Sequence, residues 1–192
     1  MSRACGECTL CCRLVPVYDA SKGLAKGANT RCRHQSFAKG CKVYATPAMP
    51  NCCSLWQCRW LVQPDETRDL SRPDRSGFVL DILPDFIRAL DNETGVETNL
   101  ECIQVWVDPK RPDVHRDPAL RAYLERRAAE GIVALIRYNS SDGFVLIAPP
   151  MNQSRAWLEI KTSQSEAEHH LSDVAAALGG ELQIHVEEGG AP

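Results

Sequence analysis

The first twelve residues limit what this chain can fold into. Cys5-Gly6-Glu7-Cys8-Thr9-Leu10-Cys11-Cys12 places four thiols within eight residues, and Cys32, Cys41, Cys52, Cys53 and Cys58 follow before residue 60. Of the ten cysteines, only Cys102 lies outside this region. So dense a set is either a disulfide framework or a metal site, and the two belong to different compartments. Met1-Ser2-Arg3-Ala4 runs straight into cysteine with no apolar stretch of an export signal. The expectation is therefore a reducing cytoplasm, where disulfides do not persist, and a metal site.

The region holding the thiols cannot support itself by ordinary burial. Residues 1–62 are poor in large aliphatics, apart from Leu14-Val15-Pro16-Val17, and Ser21-Lys22-Gly23-Leu24-Ala25-Lys26-Gly27 reads as a flexible run. Ordering such a segment costs more entropy than its apolar surface can offset. Metal–thiolate bonds make up the difference in small Cys-rich modules, where binding and folding are one event. Residues 1–62 are thus expected to be a cysteine-cluster metal-binding region.

Beyond it the texture changes. Residues 63–75 are charged and punctuated by Pro64 and Pro73, which reads as a connection. Residues 63–160 then read as an α+β body. Strands are expected over Phe78–Leu83 and Cys102–Val107, with a turn at Asn92-Glu93-Thr94-Gly95. Asp117-Pro118 supplies an N-cap and a first-turn proline for a helix that Gly131 ends. Ile132–Tyr138 and Phe144–Ile147 form a hairpin around Asp142-Gly143. Residues 161–192 are a weaker C-terminal extension after a strand near Trp157–Ile160: a helix over Glu166–Leu178, a strand over Leu182–Val186 and a frayed tail. The expected fold class is α+β, with a Cys-rich irregular N-terminal part packed on a small, mainly antiparallel sheet with one or two helices.

Bulk composition sets the partners. With 22 basic and 25 acidic side chains the net charge is −3, which gives no reason to expect a nucleic-acid partner. No apolar run approaches the length that crosses a bilayer, so no membrane partner is expected. Lys110, Arg111, Arg121, Arg126 and Arg127 make a basic stretch that Asp113, Asp117, Glu125 and Glu130 neutralise. Asp65, Asp69, Asp74, Asp81 and Asp85 show no acid/base spacing, and no phosphate-binding loop or nucleophile elbow is present. A protein partner has no signature.

The thiol spacing is informative in itself. A two-residue gap lets the chain turn and aim both sulfurs at one ion. Cys5, Cys8 and Cys11 overlap two such gaps, which resembles the opening of a ferredoxin cluster loop more than the separated knuckles of a zinc ribbon. The ferredoxin Cys-Pro ending is missing. The spacing therefore points to metal and leaves zinc and an iron–sulfur cluster both open, with a lean to iron–sulfur.

Four blocks together, Cys5-x2-Cys8-x2-Cys11-Cys12, Cys32-Arg33-His34, Gly40-Cys41-Lys42-Val43-Tyr44 and Pro50-Asn51-Cys52-Cys53-Ser54-Leu55-Trp56-Gln57-Cys58, resemble the CxxCxxCC cysteine-cluster family, also called the YkgJ family. The resemblance covers roughly the first third and implies a zinc- or iron-chelating domain. It implies Cys5, Cys8, Cys11, Cys12, Cys32, Cys41, Cys53 and Cys58 as ligands, with Cys53 preferred to Cys52 for its spacing to Cys58. Two departures stand out: the Arg-Pro usual after the tyrosine is absent, and Ser54 replaces an arginine. Eight thiols exceed the four that one zinc or one cubane uses, so two metals are bound or some thiols support the others. His34 is a further candidate donor, more plausible as a supporting group, and Cys102 reads as a core thiol.

The function expected is a cytoplasmic metal-binding protein. The alternatives are a redox or methyl-transfer enzyme using an iron–sulfur cluster, by analogy with flagellin lysine N-methylases that carry a related cluster, and a zinc module for protein or nucleic-acid contact.

Overall fold

The computed structural model describes residues 3–36, 39–91, 95–161 and 182–185. Asn92–Thr94 of the expected turn, the helix expected over Glu166–Leu178 and the tail from residue 187 lie outside the described residues. The chain forms two compact units. The first takes the described residues of Met1–Leu83 with Val105–Arg121 and Arg137–Ser141, and the second takes Pro84–Gln104, Ala122–Ile136 and the described residues from Asp142 onward.

The elements of the first unit are short. In chain order they are α1 (Cys11–Leu14), β1 (Val17–Asp19), β2 (Leu24–Lys26), β3 (Gln35–Ser36), β4 (Gly40–Cys41), α2 (Asn51–Leu55), α3 (Arg59–Val62), α4 (Pro73–Ser76) and β5 (Phe78–Leu80). The run expected to be flexible is in fact a hairpin, with β1 and β2 antiparallel in the register Val17↔Lys26 and Asp19↔Leu24. Gly23 makes the turn possible by adopting φ +55°, a conformation side chains disfavour. The Asp19 carboxylate accepts from the Lys22 amide at 3.2 Å, fastening the turn.

Residues 63–75 are mostly exposed but anchored by buried Thr67, Leu70 and Pro73. Thr67 is completely buried, and the Arg3 guanidinium donates to its hydroxyl at 2.6 Å and its carbonyl at 2.9 Å. The same guanidinium stacks on Trp60 at 4.5 Å. The apolar centre of this unit is a small cluster of Leu10, Leu14, Val79 and Trp106 around Cys8, with Cys5, Cys11, Trp56 and Cys58 packed against it. β5 reaches it by pairing antiparallel with Val105–Val107, and Arg137 lies over the Trp106 ring at 5.5 Å.

The second unit is dominated by regular sheet. The remaining elements of the chain are β6 (Asp85–Asp91), β7 (Glu97–Val107), α5 (Pro118–Ala128), β8 (Val133–Arg137), β9 (Gly143–Ile147), β10 (Leu158–Lys161) and β11 (Leu182–His185). The strand order is β10-β9-β8-β7-β6-β11, and the β10–β9, β6–β7 and β11–β6 pairs are antiparallel. Ile87, Cys102, Val133, Leu135, Val145, Ile147 and Ile160 make its core, so Cys102 is the core thiol its β-run suggests. α5 starts as expected, with the Asp117 carboxylate accepting from the Ala119 and Leu120 amides at 2.9 and 3.1 Å. Leu120, Tyr123, Leu124 and Ala128 form its buried stripe. The fold class is α+β, as expected. Among the described residues no helix is long and apolar enough to cross a membrane.

Candidate metal centre

Five separate pieces of the first unit bring sulfur to one cavity of about 380 Å³. Cys5, Cys11 and Cys12 come from the N-terminal turn and the start of α1, Cys32 from the segment before β3, and Cys41 from β4. Cys52 and Cys53 come from α2, and Cys58 from the residue before α3. Seven of the eight thiols expected as ligands line this space, together with Cys52 and His34. Cys8, the eighth, does not line it and is buried among Leu10, Leu14, Val79 and Trp106. None of the ten cysteines is joined to another in a disulfide.

The local structure explains the convergence. The Cys8 amide donates to the Cys5 carbonyl at 3.0 Å, closing a tight turn over Gly6, which sits at φ +52°. Gly40, at φ +79°, passes so close that a Cβ there would lie 2.1 Å from the Gly6 carbonyl oxygen. Only glycine permits that approach, and it brings the neighbouring Cys41 to the Cys5–Cys8 turn. The Cys32 amide donates to the Cys12 carbonyl at 3.1 Å, which holds a third segment in place. The Asp19 carboxylate accepts from the Asn51 amide at 2.7 Å, at the first residue of α2, and so positions Cys52 and Cys53.

The thiols differ in acidity. Burial, and then the neighbouring Cys8, push Cys5 up to about 12. Burial and then Cys52 push Cys53 up to about 12, and burial pushes Cys58 up to about 11. Cys12 goes the other way, brought down to about 7 by a hydrogen bond from the Cys11 thiol and aided by the Lys26 ammonium. Lys26 is held against this wall by the Arg13 and Gly27 carbonyls at 3.3 and 3.2 Å and by that of Val15. Lys26 has no signature in the sequence, because nothing in a linear pattern shows a cation folded back among thiols. His34 is less available than its position suggests, since its Nε2 accepts from the Arg33 guanidinium at 3.3 Å.

Whether these residues suit a metal is a matter of donors and of spacing. All but one of the candidate donors on the wall are sulfur, and no Asp or Glu lines the cavity, a set that suits zinc or an iron–sulfur cluster and not magnesium or calcium. The Trp56 indole N–H, on the same wall, is buried without a hydrogen-bond partner, and a thiolate or sulfide would provide its acceptor. Against this, no three His, Cys, Asp or Glu side chains among the described residues converge as a group able to hold a metal ion. The donors share a cavity but are not drawn to one point, so a metal could take four of them only if the thiols moved closer together.

Comparison with protein-family models, with curated proteins and with solved structures gives no match to this chain.

Proposed function

We propose that the first unit is a metal-binding module whose cysteines chelate zinc or an iron–sulfur centre, and that it is kin to the CxxCxxCC family. The observation that carries this reading is the gathering of eight unbridged thiols from five segments on one cavity wall free of carboxylates. Thiols placed so close in an oxidising compartment would pair, so the reading includes a reducing one. The overlapping Cys5, Cys8, Cys11 triplet favours iron–sulfur over zinc. When bound, either centre supplies charge and cross-links. This chain's own residues supply the rest: Trp56 an N–H donor and Lys26 a cation beside Cys12.

A second reading draws on the lining of the cavity. Apolar side chains, Val15, Pro16, Val17 and Leu61 among them, stand beside the thiols on its wall. That favours a redox or methyl-transfer enzyme in which an organic substrate approaches the centre. Anaerobic purification with metal analysis and a visible spectrum tests both. A brown protein with stoichiometric iron supports a cluster, and a colourless one with bound zinc supports a structural site. A protein that takes up neither metal overturns the proposal.

A further inference from the structure

We infer that the first unit presents a binding face for single-stranded nucleic acid, made by Lys22, Arg31, Arg33, Lys39 and Lys42 beside the exposed rings of Tyr18 and Tyr44. This face stands whether or not the cavity holds metal, and so goes beyond the function proposed above.

The net charge of −3 conceals two opposite parts. Residues 1–64 hold nine Lys and Arg against two Asp and Glu, whereas residues 65–192 hold 13 against 23. Past Asp19 no acidic residue occurs until Asp65. Asp19 itself is buried and accepts from the Ser21 hydroxyl and the Lys22 and Asn51 amides, so its charge is turned inward. Lys22, Arg31, Arg33, Lys39 and Lys42 are exposed, and among the described residues none of them pairs with a carboxylate. A zinc held by four thiolates would carry about −2, too little to reverse the sign of this segment. Bulk charge therefore gives no sign of a face that attracts anions locally.

Contacts between segments gather these cations. The Arg33 guanidinium donates to the Lys22 and Gly23 carbonyls at 2.7 and 3.1 Å, which lays it on the β1–β2 turn. The Lys42 amide donates to the carbonyl of His34, the neighbour of Arg33, at 2.8 Å. Arg31 donates at 3.4 Å to the carbonyl of Gln35, which pairs with Cys41 across β3 and β4. Lys39 lies between those two strands, its amide donating to the Ser36 carbonyl at 3.2 Å. The Lys22 ammonium reaches the Pro47 carbonyl at 3.2 Å, joining the hairpin that carries Tyr18 to the loop that carries Tyr44. Both tyrosines border the cavity mouth, 68% and 41% exposed. A single strand uses both features, since its phosphates meet the cations and its unpaired bases stack on the rings. An acidic polypeptide would use the cations and leave the rings idle. A flat lipid surface would not follow rings that border a concavity.

The test is fluorescence anisotropy of a labelled oligo-U strand of roughly 12 nucleotides, titrated with the full chain between about 50 and 200 mM salt. Binding should weaken with salt at a log–log slope of about −3.5 when all five cations meet phosphates. K39E/K42E should weaken binding by roughly tenfold or more and make the slope shallower by about 1.4. Arg31→Glu repeats the test at a third site, should that pair disturb the β3–β4 hairpin. Tyr18→Ala should weaken binding several-fold and leave the slope unchanged, as loss of a stacking ring does. R68E/R155E makes the same change in net charge as K39E/K42E at exposed sites outside the face, and should alter neither quantity. Absence of binding at the lower salt, an equal loss in R68E/R155E, or unchanged affinity in Tyr18→Ala overturns the assignment. So does equal affinity for the matching duplex, or displacement of the strand by poly-glutamate or phosphatidylserine vesicles as readily as by unlabelled strand. Metal analysis of the same samples tests the function proposed above separately.

Discussion

At Gly40 one added carbon does clear harm. A Cβ there meets a backbone oxygen, which cannot swing aside as a flexible side chain can, and its φ of +79° is disfavoured for any other residue. Gly23 is the natural control, since its φ is also positive but its Cβ would meet nothing within 4 Å. Gly23→Ala should therefore cost only the conformational strain of about 1–2 kcal/mol. Gly40→Ala should cost clearly more in urea denaturation and should reduce metal uptake, because it displaces Cys41; equal costs for the two would refute the close-approach argument. Asp19 gives the pH dependence. The hydrogen bond from the Ser21 hydroxyl, followed by those from the Asn51 and Lys22 amides, holds its carboxyl below the ordinary carboxylate value. A lowered folded-state value means that its contribution is full above the unfolded value and is lost as pH falls through the folded one. On acidification wild type should release α2 while Asp19→Asn shows no such step, readable as a change in Trp56 fluorescence.

At the scale of elements, α1 shows how little regular structure the cysteine-rich unit has to rely on. Four residues make a helix that cannot persist alone, so its place depends on Leu14, which is only 1% exposed. Leu14→Ala should destabilise this unit by ~2–5 kcal/mol and lower the affinity for metal, while Leu55→Ala, at a side chain 77% exposed, should change stability little in the same denaturation experiment. The same elements show what a linear reading can recover. Strands with continuous apolar character, such as β8 and β9, and the Asp117-capped helix were legible because pattern and cap act locally. β6 was not, since Asp85, Arg88 and Asp91 interrupt its apolar residues and its strand state depends on pairing with β7 and β11. The β1–β2 hairpin was hidden in small polar residues whose turn rests on one glycine. For the site, the thiol count and its spacing were legible. The burial of Cys8 away from the cavity, the presence of Cys52 on it and the return of Lys26 were not, because each follows from contacts between distant segments.

The two units differ in what can hold them together, and under the proposed function this governs how the whole molecule would respond to loss of metal. The second unit carries a continuous core of Ile87, Val133, Leu135, Val145, Ile147 and Ile160 beneath paired strands. The first has helices of four or five residues, two-stranded sheets and a core of a few side chains into which four cysteines are packed. Protonated and unligated, those sulfurs are small hydrophobes offering little attraction across the cavity. Bound to metal they become cross-links between segments far apart in sequence, and the free energy of binding becomes free energy of folding. Removing metal from the loaded protein with a strong chelator, under reducing conditions, should therefore abolish amide-exchange protection over residues 5–62 and leave that of β8 and β9 in place. Restored metal should restore the lost protection. Were protection to persist in both units after complete removal, the apolar cluster around Leu14 and Trp106 would suffice by itself, and the metal would have a role other than holding the fold.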